Sequence, residues 1–290
     1  MKFDEMISQL LTLNDDRGIP DSVLPHYSKL LGQLQKKDST KCRLLEDILM
    51  LYHQTRLVPF EPENLVSYTK AITHVFNTYM DFLFIPGNNP FSATSDFAPS
   101  ILSEMISIVF WEIVNTRHFG LEVSAQKDLP LLCVFSISSG GSIRFKKKRV
   151  DVAVVKPCSL ELNGISTELT IPLVVAECKT NLDKNMISGI EHSVSDLKKT
   201  FPECKYFVVA ELSDFDFKKT NYASSGIDEM YILRKQKRND IKNRKLPRKS
   251  INPELIHGIA TELIATITAA NLKPVDLVTR MQSGKLIGRI

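Results

Sequence analysis

Two stretches decide how this chain is read: RVDVAVV at 149–155, and LVVAECKTNLDKNMISG at 173–189. Each carries a run of β-branched and small apolar residues that meets charge at one end. That is the composition of a strand buried on both faces. Downstream of the second run, Met186, Ile187, Ile190, Val194 and Leu197 recur at helical spacing and predict a helix over 184–199. YFVVAE at 206–211 reads as the next strand, and LLCVFS at 131–136 as an earlier one. The order helix, strand, strand, strand, helix, strand predicts an α/β fold, a mixed sheet flanked by helices.

Outward from this centre the pattern is helical. Pro99 sits in a first helical turn, and Ile101, Leu102, Met105, Ile106, Ile108, Val109, Trp111 and Ile113 continue the helix. Leucine spacing around Leu10, Leu11, Leu30 and Leu34 predicts helices over 1–90. One of these is capped at Ser39-Thr40, and another starts after Pro62. IPGNNP at 85–90 is the best boundary. A last helix is expected over 253–271.

Of 290 residues, 43% are hydrophobic and 24% charged, which excludes a mainly disordered chain. No run of about 18 uncharged apolar residues exists, so no membrane span is predicted. The five cysteines, at 42, 133, 158, 178 and 204, form no close pair. A zinc finger is therefore not expected, and reduced thiols in a prokaryotic cytoplasm are. The six histidines form no HExxH pattern, and Gly284-Lys285 lacks the upstream glycine of a phosphate loop.

Net charge is only +4, yet it is unevenly placed. RKQKRNDIKNRKLPRK at 234–249 holds nine Lys/Arg against Asp240, and a second cluster runs from Arg144 through Lys146, Lys147 and Lys148 to Arg149. Two dense basic segments on a mildly charged chain suit a polyanion.

Acid-x-lysine triplets occur five times, at 177, 196, 203, 216 and 240, so the triplet alone says little. Only Glu177-Cys178-Lys179 closes a buried strand and precedes an amphipathic helix. Alternation along a strand puts Glu177 and Lys179 on one face and turns Cys178 away. Asp151 on a neighbouring strand completes a pair of carboxylates, a hard oxygen site of the kind Mg2+ prefers. Lys179 adds positive charge beside a reacting phosphate. Glu112 reads as solvent-facing.

Asp…Glu-x-Lys on a hairpin after a glutamate-bearing helix resembles the PD-(D/E)XK nucleases. Together, FAPSILSEMI at 97–106, RVDVAVV and LVVAECKTNLDKNMISG resemble the BbvCI-like type II restriction endonucleases, which work as two unlike subunits. The resemblance covers about residues 90–212. It implies a Mg2+-dependent endonuclease on double-stranded DNA with Asp151, Glu177 and Lys179 as the catalytic set. Asp151, Glu177 and Glu104 would be the acids at the metal. The expected organisation is a helical region at 1–90, serving DNA recognition or dimerisation, and a nuclease core at 91–290. A second nuclease subunit is the expected partner, as a heterodimer in preference to a homodimer. Expected DNA contacts are Arg144, Lys146, Lys147, Lys148, Arg149, Lys184, Arg234, Lys235, Lys237 and Arg238. A repair or recombination nuclease of the same fold, or a non-catalytic DNA-binding subunit, are the alternative readings.

One geometric test is built into these residues. Asn163-Gly164 is a two-residue hairpin signal, and a tight turn there makes paired positions sum to 327. Asp151 then faces Ala176, and Glu177 points to the opposite face. The carboxylates converge only if one extra residue interrupts the ladder. Pro157 and Pro172 remove ladder donors, so an irregularity between 151 and 177 is predicted.

Overall fold

The computed structural model describes residues 5, 8, 12, 17–34, 42–85, 87–88, 97–117, 120–136, 142–162, 165–214, 225–270 and 282. Leu10, Leu11, Ser39-Thr40, Asn163-Gly164, Asp216 and part of the 85–90 boundary lie outside them. Four helices come first: α1 (Pro25–Leu34), α2 (Cys42–Arg56), α3 (Leu65–Phe84) and α4 (Phe97–Arg117). Three strands follow, β1 (Glu122–Ser136), β2 (Ser142–Leu162) and β3 (Ile165–Leu182), then α5 (Lys184–Thr200) and β4 (Lys205–Ser213). The chain continues through β5 (Glu229–Ile232), a short α6 (Arg238–Lys242) and α7 (Pro253–Ala270).

The sheet order is β1-β2-β3-β4-β5. The first three strands are antiparallel neighbours, and β4 and β5 add on in parallel. This is the expected mixed α/β sheet between helices. The expected helix order also holds, with α4 starting two residues before Pro99. Three features were not foreseen, one of them the short α6 within the basic run. β5, EMYI, is too short and too polar to stand out as a buried run. The first half of β1 alternates polar with apolar residues and only later becomes the apolar LLCVFS.

α4 is the central helix. Ile101, Leu102, Met105, Ile106, Ile108, Val109, Phe110 and Ile113 are all buried. A helix apolar on every side is one enclosed on every side. The first core joins α1–α4 and α7 to one face of the sheet through Val152, Val154, Val174, Ala176, Phe207 and Val209. The second packs α5 on the opposite face through Ile187, Ile190, Val194 and Leu197 against Val155, Val175, Tyr206 and Val208.

β1 and β2 change faces part-way along. On β1, Val123 belongs to the first core, while Leu129 and Leu131, at positions of the same parity, belong to the second. On β2 the same reversal separates Val152 from Val150. Strict alternation forbids this unless a residue leaves the pleat. That residue on β1 is Gln126, whose φ of 53° lies in the left-handed region that non-glycine residues rarely adopt.

The amino-terminal helices are tied to α4 by a buried polar knot. Glu104 is 0% exposed. One carboxylate oxygen accepts from Tyr52 Oη at 2.8 Å and pairs with Arg56, and the other accepts from the backbone N–H groups of His26 and Tyr27 at 2.7 and 2.8 Å. His26 in turn bonds the Phe97 carbonyl, the Ser100 hydroxyl and Tyr79 Oη. Glu112 is also buried and is paired with Arg17, so the solvent-facing expectation was wrong. Burial raises its pKa against the pull of Arg17.

Burial lowers His26 to about 4, partly opposed by Glu104. Between that value and its ordinary 6.5 the unfolded chain binds a proton that the folded chain does not, so stability rises with pH across this window. Acidifying from neutral pH through this range should cost about 3 kcal/mol from His26 alone. Urea unfolding at a series of pH values checks this. His26→Gln should be less stable at pH 7 but should lose that part of the slope.

Candidate active site

The bulge predicted between 151 and 177 is present. Near the turn, Leu162 pairs with Ile165 and Val155 with Pro172, a constant sum of 327. Beyond the shift, Val154 pairs with Val174 and Val152 with Ala176, a sum of 328. Leu173 is the residue left over. Continuing the second register by one step sets Asp151 opposite Glu177, where side chains of an antiparallel pair share a face.

The geometry of the cluster follows. Lys179 Nζ is 2.7 Å from Glu177 Oε1 and 3.7 Å from Asp151 Oδ2, so one ammonium lies between two carboxylates. Asp151 Oδ2 accepts the backbone N–H of Cys178 at 2.8 Å, and its Oδ1 accepts Gln126 Nε2 at 3.2 Å. Tyr206 on β4 donates its hydroxyl to Glu177 Oε2 at 3.2 Å. Cys178 turns to the opposite face and joins the first core.

Electrostatics match this crowding. Burial, then the neighbouring Glu177 charge, raise the Asp151 carboxyl above its ordinary value, against Lys179 and the Cys178 N–H. Burial by itself would lower Lys179, but Glu177 and Asp151 together outweigh it and hold the ammonium charged. Tyr206 is pushed up by burial and then by Glu177, so it stays a neutral donor. Among the described residues no group of three His, Cys, Asp or Glu is arranged to hold a metal ion. Two part-exposed carboxylates suit a hard cation that keeps several waters. They do not suit zinc, which takes nitrogen and sulfur.

Other expected residues fall in several places. Glu104 does not join this cluster. Both of its oxygens are taken by α1 and α2, where it neutralises buried Arg56, and this corrects the expectation of a third metal acid. Arg234 is also corrected. It is 1% exposed and pairs with Glu211 and, at 2.9 Å, with Asp81. A buried guanidinium must be paired, and these acids hold it inside the protein and away from any surface ligand. Arg248, at the far end of the same basic run, is drawn into the same acids.

Lys146, Lys147 and Arg149 are exposed on β2 next to Asp151, with Arg149 Nε 3.0 Å from Asp128. Lys148 donates to Ser193 Oγ on α5 at 3.0 Å. The Arg144 side chain lies outside the described residues. Lys184 is exposed at the first turn of α5, and Lys235 and Lys237 are exposed near β5. Arg238 is half-exposed and bonded to Asp214 at 2.8 Å. Sequence reasoning missed Gln126 and Tyr206. Tyr206 could have been found by extending the parallel pairing of β3 and β4, whereas no local signal marks Gln126.

Comparison with known proteins places this geometry in context. The family model described as Bpu10I restriction endonuclease matches residues 101–250. No curated protein matches. A solved structure titled "native BbvCI A2B2 tetramer at low resolution" superposes with a TM-score of 0.67. The match covers 88% of this chain and 98% of that one at 20% identity, a likeness of fold.

The two glutamates should separate in a stability measurement. Glu104→Gln leaves Arg56 buried and unpaired and should cost about 3 kcal/mol. Glu177→Gln removes a charge that repels Asp151 and should change stability by less than about 1 kcal/mol. Equilibrium unfolding of the two variants beside wild type decides it.

Proposed function

The chain belongs to the Bpu10I restriction endonuclease family, and from that membership we propose that it is a catalytically competent type II subunit, hydrolysing phosphodiester bonds at a specific double-stranded DNA sequence with Mg2+. The observation that carries this reading is the single leftover residue, Leu173. It brings Asp151 and Glu177 to one face with Lys179 between them. A subunit kept only for binding has no need of an irregular ladder at that point.

Asp151 and Glu177 would hold the cation through carboxylate oxygens. Bound there, Mg2+ would neutralise charge on the phosphodiester and lower the pKa of an attacking water. The remaining work belongs to the chain. Cys178 N–H holds the Asp151 carboxylate, and the Tyr206 hydroxyl holds Glu177. Lys179 stays an ammonium and places positive charge where negative charge grows on the phosphate oxygens. Lys146, Lys147 and Arg149, exposed on the strand that leads to Asp151, would guide the DNA backbone, and the exposed Lys184, Lys235 and Lys237 would add cationic contacts.

The partner is proposed as a second, unlike subunit. The structural likeness is to an assembly titled as an A2B2 tetramer, and one cluster of this kind serves one strand. A double-strand break then needs two clusters.

Plasmid cleavage tests the proposal. Purified chain with Mg2+ should give nicks or discrete linear fragments, and EDTA should abolish them. Lys179→Ala should reduce cleavage by at least about a hundredfold, the usual loss when a transition-state charge partner is removed. Nicks that become breaks when the second subunit is added would support the heterodimer. DNA retention without cutting under every condition would sink the catalytic reading.

A further inference from the structure

Gln126 is the one non-glycine residue among the described strands with a left-handed backbone, and it stands opposite Asp151. The pairs on either side, Ala125 with Val152 and Lys127 with Val150, sum to 277, as do 126 and 151. The strained φ sits where β1 and β2 exchange faces, and the side chain it aims reaches Asp151 Oδ1 at 3.2 Å. Left-handed strain in a non-glycine residue costs of the order of 1–3 kcal/mol and persists where the surroundings use it. A glycine at this position would make the same turn without that strain. The turn alone therefore does not account for a glutamine.

We propose that Gln126 is a positioning residue of the candidate metal site, its amide locking the Asp151 carboxylate from one side while the Cys178 N–H locks it from the other. This rests on the metal-dependent nuclease reading for its consequence. Each Asp151 oxygen then has one lone pair committed to a protein donor and another free for a cation. The carboxylate is held in one orientation before a cation arrives, and the entropy of ordering it is not charged against binding. Partners that orient a ligand in this way usually contribute about 10–100-fold in affinity.

The test separates backbone from side chain. Gln126→Gly keeps the left-handed turn and removes the amide. Gln126→Asn tolerates the turn and retains a shorter amide. In DNA-free chain, Mn2+ binding by calorimetry should weaken about tenfold or more in Gln126→Gly and less in Gln126→Asn, with the circular dichroism spectrum unchanged. Without metal, hydrogen exchange at the Cys178 amide should quicken in Gln126→Gly, because its acceptor is no longer fixed. Wild-type Mn2+ affinity together with wild-type exchange in Gln126→Gly overturns the proposal and leaves Gln126 a backbone turn. Faster Cys178 exchange in a chain that binds no Mn2+ in any form sustains the positioning role and overturns the metal reading instead.

Discussion

A β-strand offers each face only every second side chain, and this parity constrains everything the site can be. Between Leu162 and Val155 the hairpin obeys a register that would leave Asp151 and Glu177 on opposite faces. Leu173 breaks it by one residue. On the cluster side of the break Val174, Val175 and Ala176 remain buried, so the adjustment costs a ladder position and little core. Gln126 on β1, level with Asp151, adds a left-handed backbone kink that leaves the β1–β2 register unchanged. Regular sheet holds the fold together, and the cluster of charge forms where the sheet stops being regular.

A second constraint acts from behind. α4 presses an almost wholly apolar surface against the sheet, yet carries Glu104 and Glu112 into the interior. Each is matched by an arginine from the amino-terminal part of the chain, Arg56 and Arg17. A buried carboxylate without its partner would be strongly unfavourable. These pairs therefore fix how the first helices seat on α4, and the sheet with its cluster is built on α4's other side. Arg234, Arg248, Glu211 and Asp81 do the same at the far end, joining β4 and the segments that follow β5 and α6 to α3.

Much of this was legible. Buried strands announce themselves by β-branched runs, and the helices between by their spacing. The need for a bulge followed from counting alone, because an Asn-Gly pair predicts a tight-turn register and the carboxylates must agree in parity. Charge was where reading failed. Glu104, Glu112 and Arg234 have side chains that solvent normally claims, and their partners lie 48, 95 and 23 residues away. A linear sequence gives the charge of a residue but not the distant opposite charge that allows its burial. The same limit hid Gln126, since a backbone angle leaves no mark when the residue is not glycine.

Among the described residues β1 stands at the end of the sheet order, so its outer edge is fifteen residues of backbone that another strand could extend. Exposed edges of that length invite chains to stack side by side into insoluble ribbons. Here Pro130 offers no N–H to such a neighbour, the register slips just after it, and Gln126 twists the edge further back. Asp128 on β1, paired with Arg149 of β2, adds charge to the strand. The distortions that shape the cluster on one side of β1 also make its edge a poorer template for another strand.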